Sequence, residues 1–89
     1  MRPTLTELRE RSNQNLRDFL NVEVELGMTF ARSAKYQKSK GNVERYETNK
    51  RNALAALGTI DRFIVRLPAE SRKEIAARRP ELAKAVASL

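Results

Sequence analysis

One helical stripe, unbroken over the first two fifths of the chain, constrains the fold more than anything else in the sequence. Apolar or small residues recur at Leu5, Leu8, Ser12, Leu16, Phe19, Val22, Leu26, Phe30, Ala34 and Gln37. The steps are all three or four residues, which keeps them on one side of an α-helix and rules out strand alternation. The start is marked by Pro3 and by Thr4-Leu5-Thr6-Glu7. In that capping box the Thr4 hydroxyl accepts from the Glu7 amide while the Glu7 carboxylate reaches back. The stop is Gly41, suited to the left-handed residue after a helix, with Lys35, Lys38 and Lys40 against the negative end of the helix dipole. The predicted first helix, 4–39, is thus roughly 36 residues long, well beyond a typical globular helix. Asn13-Gln14-Asn15 and Gly27 are its weak points, and a break near Asn13 is left open.

A second helix is predicted over 42–66, capped by Asn42 and striped by Val43, Tyr46, Lys50, Ala53, Leu57, Ile60, Ile64 and Leu67. Leu67-Pro68 ends it, because the residue before proline is pushed out of the helical region. Two short helices are expected beyond, at 69–78 and 80–88, separated by Arg79-Pro80. Pro80 suits a first helical turn. The fold class is therefore all-α, a single domain consisting of a long antiparallel hairpin with two short C-terminal helices packed against it. A tight turn at Gly41 forces the long helices antiparallel, so facing positions sum to roughly 82. Phe19 should face Phe63, Leu26 should face Ala56 or Leu57, Phe30 should face Ala53 and Tyr36 should face Tyr46. Gly27 would lie opposite Ala55 and Ala56, where absent side chains let two backbones approach. Gly58 invites the same explanation, or a mild bend. The short helices should cover the open ends near Leu5, Leu8 and Leu16. The expected architectural core is Phe19, Leu26, Gly27, Phe30, Ala53, Leu57, Ile60 and Phe63.

At 89 residues the core is thin. Completing it with a second chain as a four-helix bundle makes a homodimer the expected state, with a thin-cored monomer as the alternative.

Composition removes many functions. Cysteine and histidine are absent, which excludes disulfides, thiolate chemistry, Cys/His zinc sites and histidine-based triads. Five of the eleven acids are accounted for by capping or by the positive ends of helix dipoles: Glu7, Glu44, Glu47, Glu70 and Glu81. The three glycines are isolated, so no phosphate-binding loop is present. No enzyme activity, cofactor or metal is expected. No stretch is apolar enough to span a membrane, and the N-terminus lacks the apolar core of a signal peptide, so a cytoplasmic address is the default expectation. Residues 81–89 lack the bulk of a membrane-surface helix.

The residues Leu26-Gly27, Phe30, Gly41, Ala53 and Leu57 resemble a tetratricopeptide-type helical hairpin over residues 23–57. In that family a Leu-Gly pair lets the first helix pack closely on a small residue of the second. The Phe30-to-Gly41 spacing is about two turns longer here, Tyr46 replaces the small residue after the turn, and there is one copy where a solenoid needs about three. The resemblance implies a protein-interaction module.

The net charge of +7 is spread about evenly along the chain, but the basic residues have two concentrations. Arg32, Lys35, Lys38, Lys40, Arg45, Lys50 and Arg51 surround the hairpin tip, near Tyr36 and Tyr46. Arg72, Lys73, Arg78 and Arg79 lie on the C-terminal segment. Counterion release favours such clusters on phosphate backbones, and tyrosines can stack on bases. The plainer explanation is a solvated surface on which Arg32 and Lys35 pair with Glu44 and Glu47 across the turn. No helix-turn-helix is evident. The sequence thus favours a non-enzymatic interaction module that packs a helix face against itself or a protein partner. A nucleic-acid binder using the basic tip is the alternative, and a subunit whose basic face meets an acidic neighbour is a third reading.

Overall fold

The computed structural model describes residues 4–89, so Pro3 lies outside it. Three helices follow in order: α1 (Leu5–Ser39), α2 (Val43–Phe63) and α3 (Ala69–Ala87), with a 3-10 turn at Ile64–Arg66 before α3. The described residues contain no strand. A long hairpin of α1 and α2 carries α3 against both.

The local signals act as expected at the hairpin. The Glu7 amide donates to Thr4 Oγ1 at 3.1 Å, and the Thr4 amide donates to Glu7 Oε2 at 3.2 Å. At the other end Gly41 takes φ +73°, the left-handed conformation that glycine adopts without steric cost. The amides of Lys40, Gly41 and Asn42 turn back onto the carbonyls of Tyr36, Lys38 and Gln37. Asn42 Oδ1 then accepts from the Arg45 amide at 3.1 Å and starts α2. α1 runs through Asn13 without a break.

The C-terminal segment departs from expectation. Residues 69–78 and 80–88 are not two helices, because α3 is continuous with Pro80 inside it. An interior proline removes one helical hydrogen bond and costs about 3 kcal/mol. Tertiary contacts outweigh that cost. Pro80 is exposed, while Ile75, Leu82 and Val86 on the opposite face are buried on both sides of it. The two residues just before it are clamped, Arg78 to Asn21 and Glu25 of α1, and Arg79 to Asp61 of α2. The connection below is also pinned: the Arg72 guanidinium donates to the main-chain oxygens of Leu67 at 2.9 Å and Val65 at 3.3 Å.

The direction of α3 is a second departure. It rises alongside the hairpin toward the tip, where the main-chain oxygen of Leu89 accepts from Lys38 Nζ at 2.9 Å and from the Tyr46 hydroxyl at 2.5 Å. It therefore leaves Leu5 and Leu8 uncovered. α1 is about 52 Å long at 1.5 Å per residue and α2 about 32 Å, and the molecule is drawn out to 58 × 24 × 15 Å. Phe19 meets Phe63 edge to face at 6.4 Å, at the foot of α2. Below that contact the first turns of α1 stand free as an arm.

The core lies on a different row of α1 from the one the sequence stripe selects. Leu20, Val24, Gly27, Ala31 and Ala34 are buried, against Ala53, Ala56 and Ile60 of α2 and Ile75, Leu82 and Val86 of α3, with Leu67 closing the base. Phe30, Leu57 and Phe63 pack half-buried against this core, as expected. Phe19 and Leu26, expected inside, are 45% and 42% exposed. The reason is that α1 carries more apolar residues than one face can hold, and the packing helices take the row with the smaller side chains. Gly27 is required as predicted, but its main neighbour was missed. A Cβ there would come within 2.7 and 2.9 Å of the two Leu82 methyls, and 3.2 Å of the Ala56 Cβ. Gly58 faces open space, so close packing does not explain it. Tyr36 and Tyr46 do not pair; each ring has lysine neighbours instead.

Candidate functional site: an uncovered apolar row and a basic tip

The uncovered side of α1 carries Leu5, Leu8, Phe19, Val22 and Leu26, all exposed. They sit one side of the buried row, roughly a third of a turn of the helix away at 100° per residue. Scattered exposed apolar residues are ordinary on a protein surface; these share one side of one helix, in two groups separated by the polar Ser12 and Asn15. The upper part of the row borders a shallow groove of about 320 Å³, lined by Asn21, Val22, Glu25, Leu26, Thr29 and Arg78. Its far wall is the Arg78 guanidinium, which donates to Asn21 Oδ1 at 2.8 Å and also bonds the Glu25 carboxylate. That pair of bonds fixes both the rim of the groove and the seat of α3. Val65 adds another exposed apolar side chain just beyond α2.

The basic tip is partly a structural device. Lys38 and Lys50 both lie against the Tyr46 ring, 5.5 and 5.7 Å from its centre. Tyr46 is itself half-buried and tied to Leu89, so these residues anchor the end of α3. Lys40 covers the exposed Tyr36 ring at 5.6 Å. Arg32 and Lys35 line a small cleft with Ala85, Ser88 and Leu89. Arg45 and Arg51 point to solvent and make no ion pair among the described residues. The expected pairing of Arg32 and Lys35 with Glu44 and Glu47 is not formed. The described ion pairs are Arg17–Asp18, Arg78–Glu25 and Arg79–Asp61.

Three of the four cations in the second basic concentration are consumed by the fold, and Lys73 stays exposed. Arg72 binds main-chain oxygens, Arg78 binds α1, and Arg79 makes a two-pronged contact with Asp61 at 2.5 and 2.8 Å. That contact holds the Asp61 carboxyl below its ordinary pKa, through the hydrogen bonds from Arg79 first, against the opposing effect of partial burial. Sequence reasoning grouped these arginines by proximity and missed their partners, because Asn21, Glu25 and Asp61 are distant along the chain.

No group of three or more acidic side chains converges among the described residues. Among them, too, no helix is long and apolar enough to cross a membrane. No protein-family model matches the chain, and neither does any curated protein or solved structure.

Proposed function

We propose that this chain is a non-enzymatic interaction module that works by helix-face packing, with itself or with a partner helix laid along α1. The observation that carries the reading is the apolar row Leu5, Leu8, Phe19, Val22 and Leu26, left uncovered although the chain has a third helix with which to cover it. An amphipathic helix docked in such a groove is a recurrent mode of protein recognition, read through anchors three and four residues apart. The resemblance of residues 23–57 to a tetratricopeptide hairpin supports the same class of role.

The test is the mass in solution of the wild-type chain and of Val22→Asp, with helical content followed in parallel. Val22 is 55% exposed, so the substitution spares the core. The wild type should run above the single-chain mass of 10.2 kDa, and Val22→Asp should return to it with its helicity intact. A photo-cross-linking residue at position 22 extends the test to a foreign partner, with one at the solvent-facing position 48 as control. An unchanged mass for Val22→Asp, or equal cross-linking from both positions, sinks the reading.

Nucleic-acid binding by the tip is the second reading, favoured by Arg45 and Arg51, exposed and without an ion pair among the described residues, and by the exposed Tyr36. It requires affinity for a random duplex that falls steeply with salt and is lost in Arg45→Glu/Arg51→Glu.

A further inference from the structure

The uncovered row has an internal order. Its positions from the arm upward are Leu5, Leu8, Ser12, Asn15, Phe19 and Val22. The steps alternate between three and four, the spacing of a seam between two packed helices. In character the row reads apolar, apolar, polar, polar, apolar, apolar. Over these six positions it is the same from either end, so a second copy laid antiparallel matches them all; Leu26, the next step up, lies beyond the match.

A parallel pair would match the row as well, and the flanking charges decide between the two. Beside the lower half of the row stand Arg9 and Arg11; beside the upper half stand Asp18 and Glu23, Glu25 being already paired with Arg78. In a parallel pair Asp18 falls next to Glu23 of the other chain, twice, and Arg11 falls next to the uncharged Leu16. In an antiparallel pair the basic half of each seam meets the acidic half of the other, and Arg11 falls opposite Asp18 twice. Charge patterns of this kind commonly set the orientation of paired helices.

The shape of the molecule agrees. The arm from Leu5 to about Asn15 rises about 15 Å, before Leu16 reaches the core and Phe19 meets Phe63 of α2. Antiparallel pairing places the two hairpin bodies at opposite ends of the shared arms, where they do not collide.

We infer, resting on the helix-face reading above, that the occupant of this face is a second copy of the chain, antiparallel, with the two-fold axis near residues 13 and 14. Leu5 packs on Val22 of the other copy, Leu8 on Phe19, Ser12 meets Asn15, and Arg11 meets Asp18.

The chain has no cysteine, so single-cysteine variants read the orientation directly. Leu5 and Val22 are exposed, and replacing either leaves the core untouched. Leu5→Cys mixed with Val22→Cys should oxidise to a cross-linked pair, and each variant alone should not, because like positions lie about 25 Å apart in the antiparallel arrangement. Arg11→Glu should weaken the dimer at least tenfold, and so should Asp18→Arg. Arg11→Glu/Asp18→Arg should restore it. A parallel pair gives the opposite pattern: each cysteine variant cross-links with itself, and Asp18→Arg strengthens association. Either sign of that pattern overturns the inference. A dimer that Val22→Asp dissociates but that yields neither cross-link also overturns it while leaving the helix-face reading standing. A wild type that stays a single chain at 500 µM, with position 22 cross-linking only to another protein, does the same.

Discussion

Gly27→Ala pits two well-characterised effects against each other at one atom. In an open helix the change is worth about 1 kcal/mol in favour of alanine. At position 27 the new methyl enters a filled site, within 3.0 Å of both Leu82 methyls and 3.2 Å from the Ala56 Cβ. Ala56 is held by its own helix and cannot turn aside. Leu82 is fully buried, so its methyls can give way only within the core. Overpacking of this sort costs about 1–3 kcal/mol. The net expectation is a loss of about 1 kcal/mol. Urea unfolding followed by helical circular dichroism, at fixed protein concentration, should show a lower midpoint with an unchanged slope. The second arm removes the obstruction. Leu82→Val withdraws both methyls and by itself costs about 1 kcal/mol, the value of a buried methylene. In that background Gly27→Ala should cease to destabilise and should gain several tenths of a kcal/mol. The signature is therefore a change of sign between backgrounds, a coupling of about 1–2 kcal/mol between two contacting residues. If Gly27→Ala stabilises the wild type, or shifts both backgrounds equally, close approach of α3 is not what position 27 serves.

Gly58→Ala is the natural contrast: with nothing within 4 Å of the new methyl, it should raise stability by about 0.5–1 kcal/mol in the same unfolding assay. Pro80→Ala restores a missing hydrogen bond in α3 at an exposed position, and should raise the thermal midpoint with a gain of about 1–3 kcal/mol. Tyr46→Phe removes the hydroxyl that donates to Leu89, and should cost about 1 kcal/mol and speed amide exchange in the last turn of α3. The Asp61–Arg79 contact has a pH signature. Because the folded pKa of Asp61 is depressed, its contribution is complete above the ordinary carboxylate value of about 3.9 and is lost as pH falls through the lower folded value. Asp61→Asn should therefore lower stability at pH 7 and make no difference near pH 2, and equal loss at both pH values would refute the assignment.

The hairpin was legible because its determinants are local. Thr4 and Glu7 are three residues apart, as are Asn42 and Arg45, and Gly41 needs only its own φ. The Phe19–Phe63 and Gly27–Ala56 contacts followed from arithmetic about a single turn. What was not legible depends on the placement of α3. Nothing local distinguishes a proline that starts a helix from one that sits inside it. Here Arg78 and Arg79 settle the matter through Asn21, Glu25 and Asp61, residues that no short window joins. The same placement decided which lysines are structural. Lys38 and Lys50 are tied to Tyr46 at the seat of Leu89, while Arg45 and Arg51, equal to them in a count of charge, remain at the surface.

The apolar stripe of α1 shows why sequence alone could not separate folding from docking. A helix that buries one face against its own chain and offers another to a second chain carries two apolar rows, and periodicity merges them into one wide stripe. The rows differ in bulk. Gly27, Ala31 and Ala34, with Ala53 and Ala56 opposite, let α1 and α2 lie close. Bulky Leu5, Leu8, Phe19, Val22 and Leu26 would hold a neighbouring helix further off, and they remain exposed. α1 also extends about 20 Å past the foot of α2, yet its helical signals continue without a lapse, from the Thr4 cap onward. An isolated helical arm of this length is marginal in water and gains most of its stability from packing. On the proposed helix-face reading, the missing contacts of an arm that is capped, apolar on one side and uncovered by its own chain lie in another molecule. The arm's helicity should rise with protein concentration, as read by amide exchange at residues 8–16. Exchange there that is slow and independent of concentration would mean that the arm needs no partner.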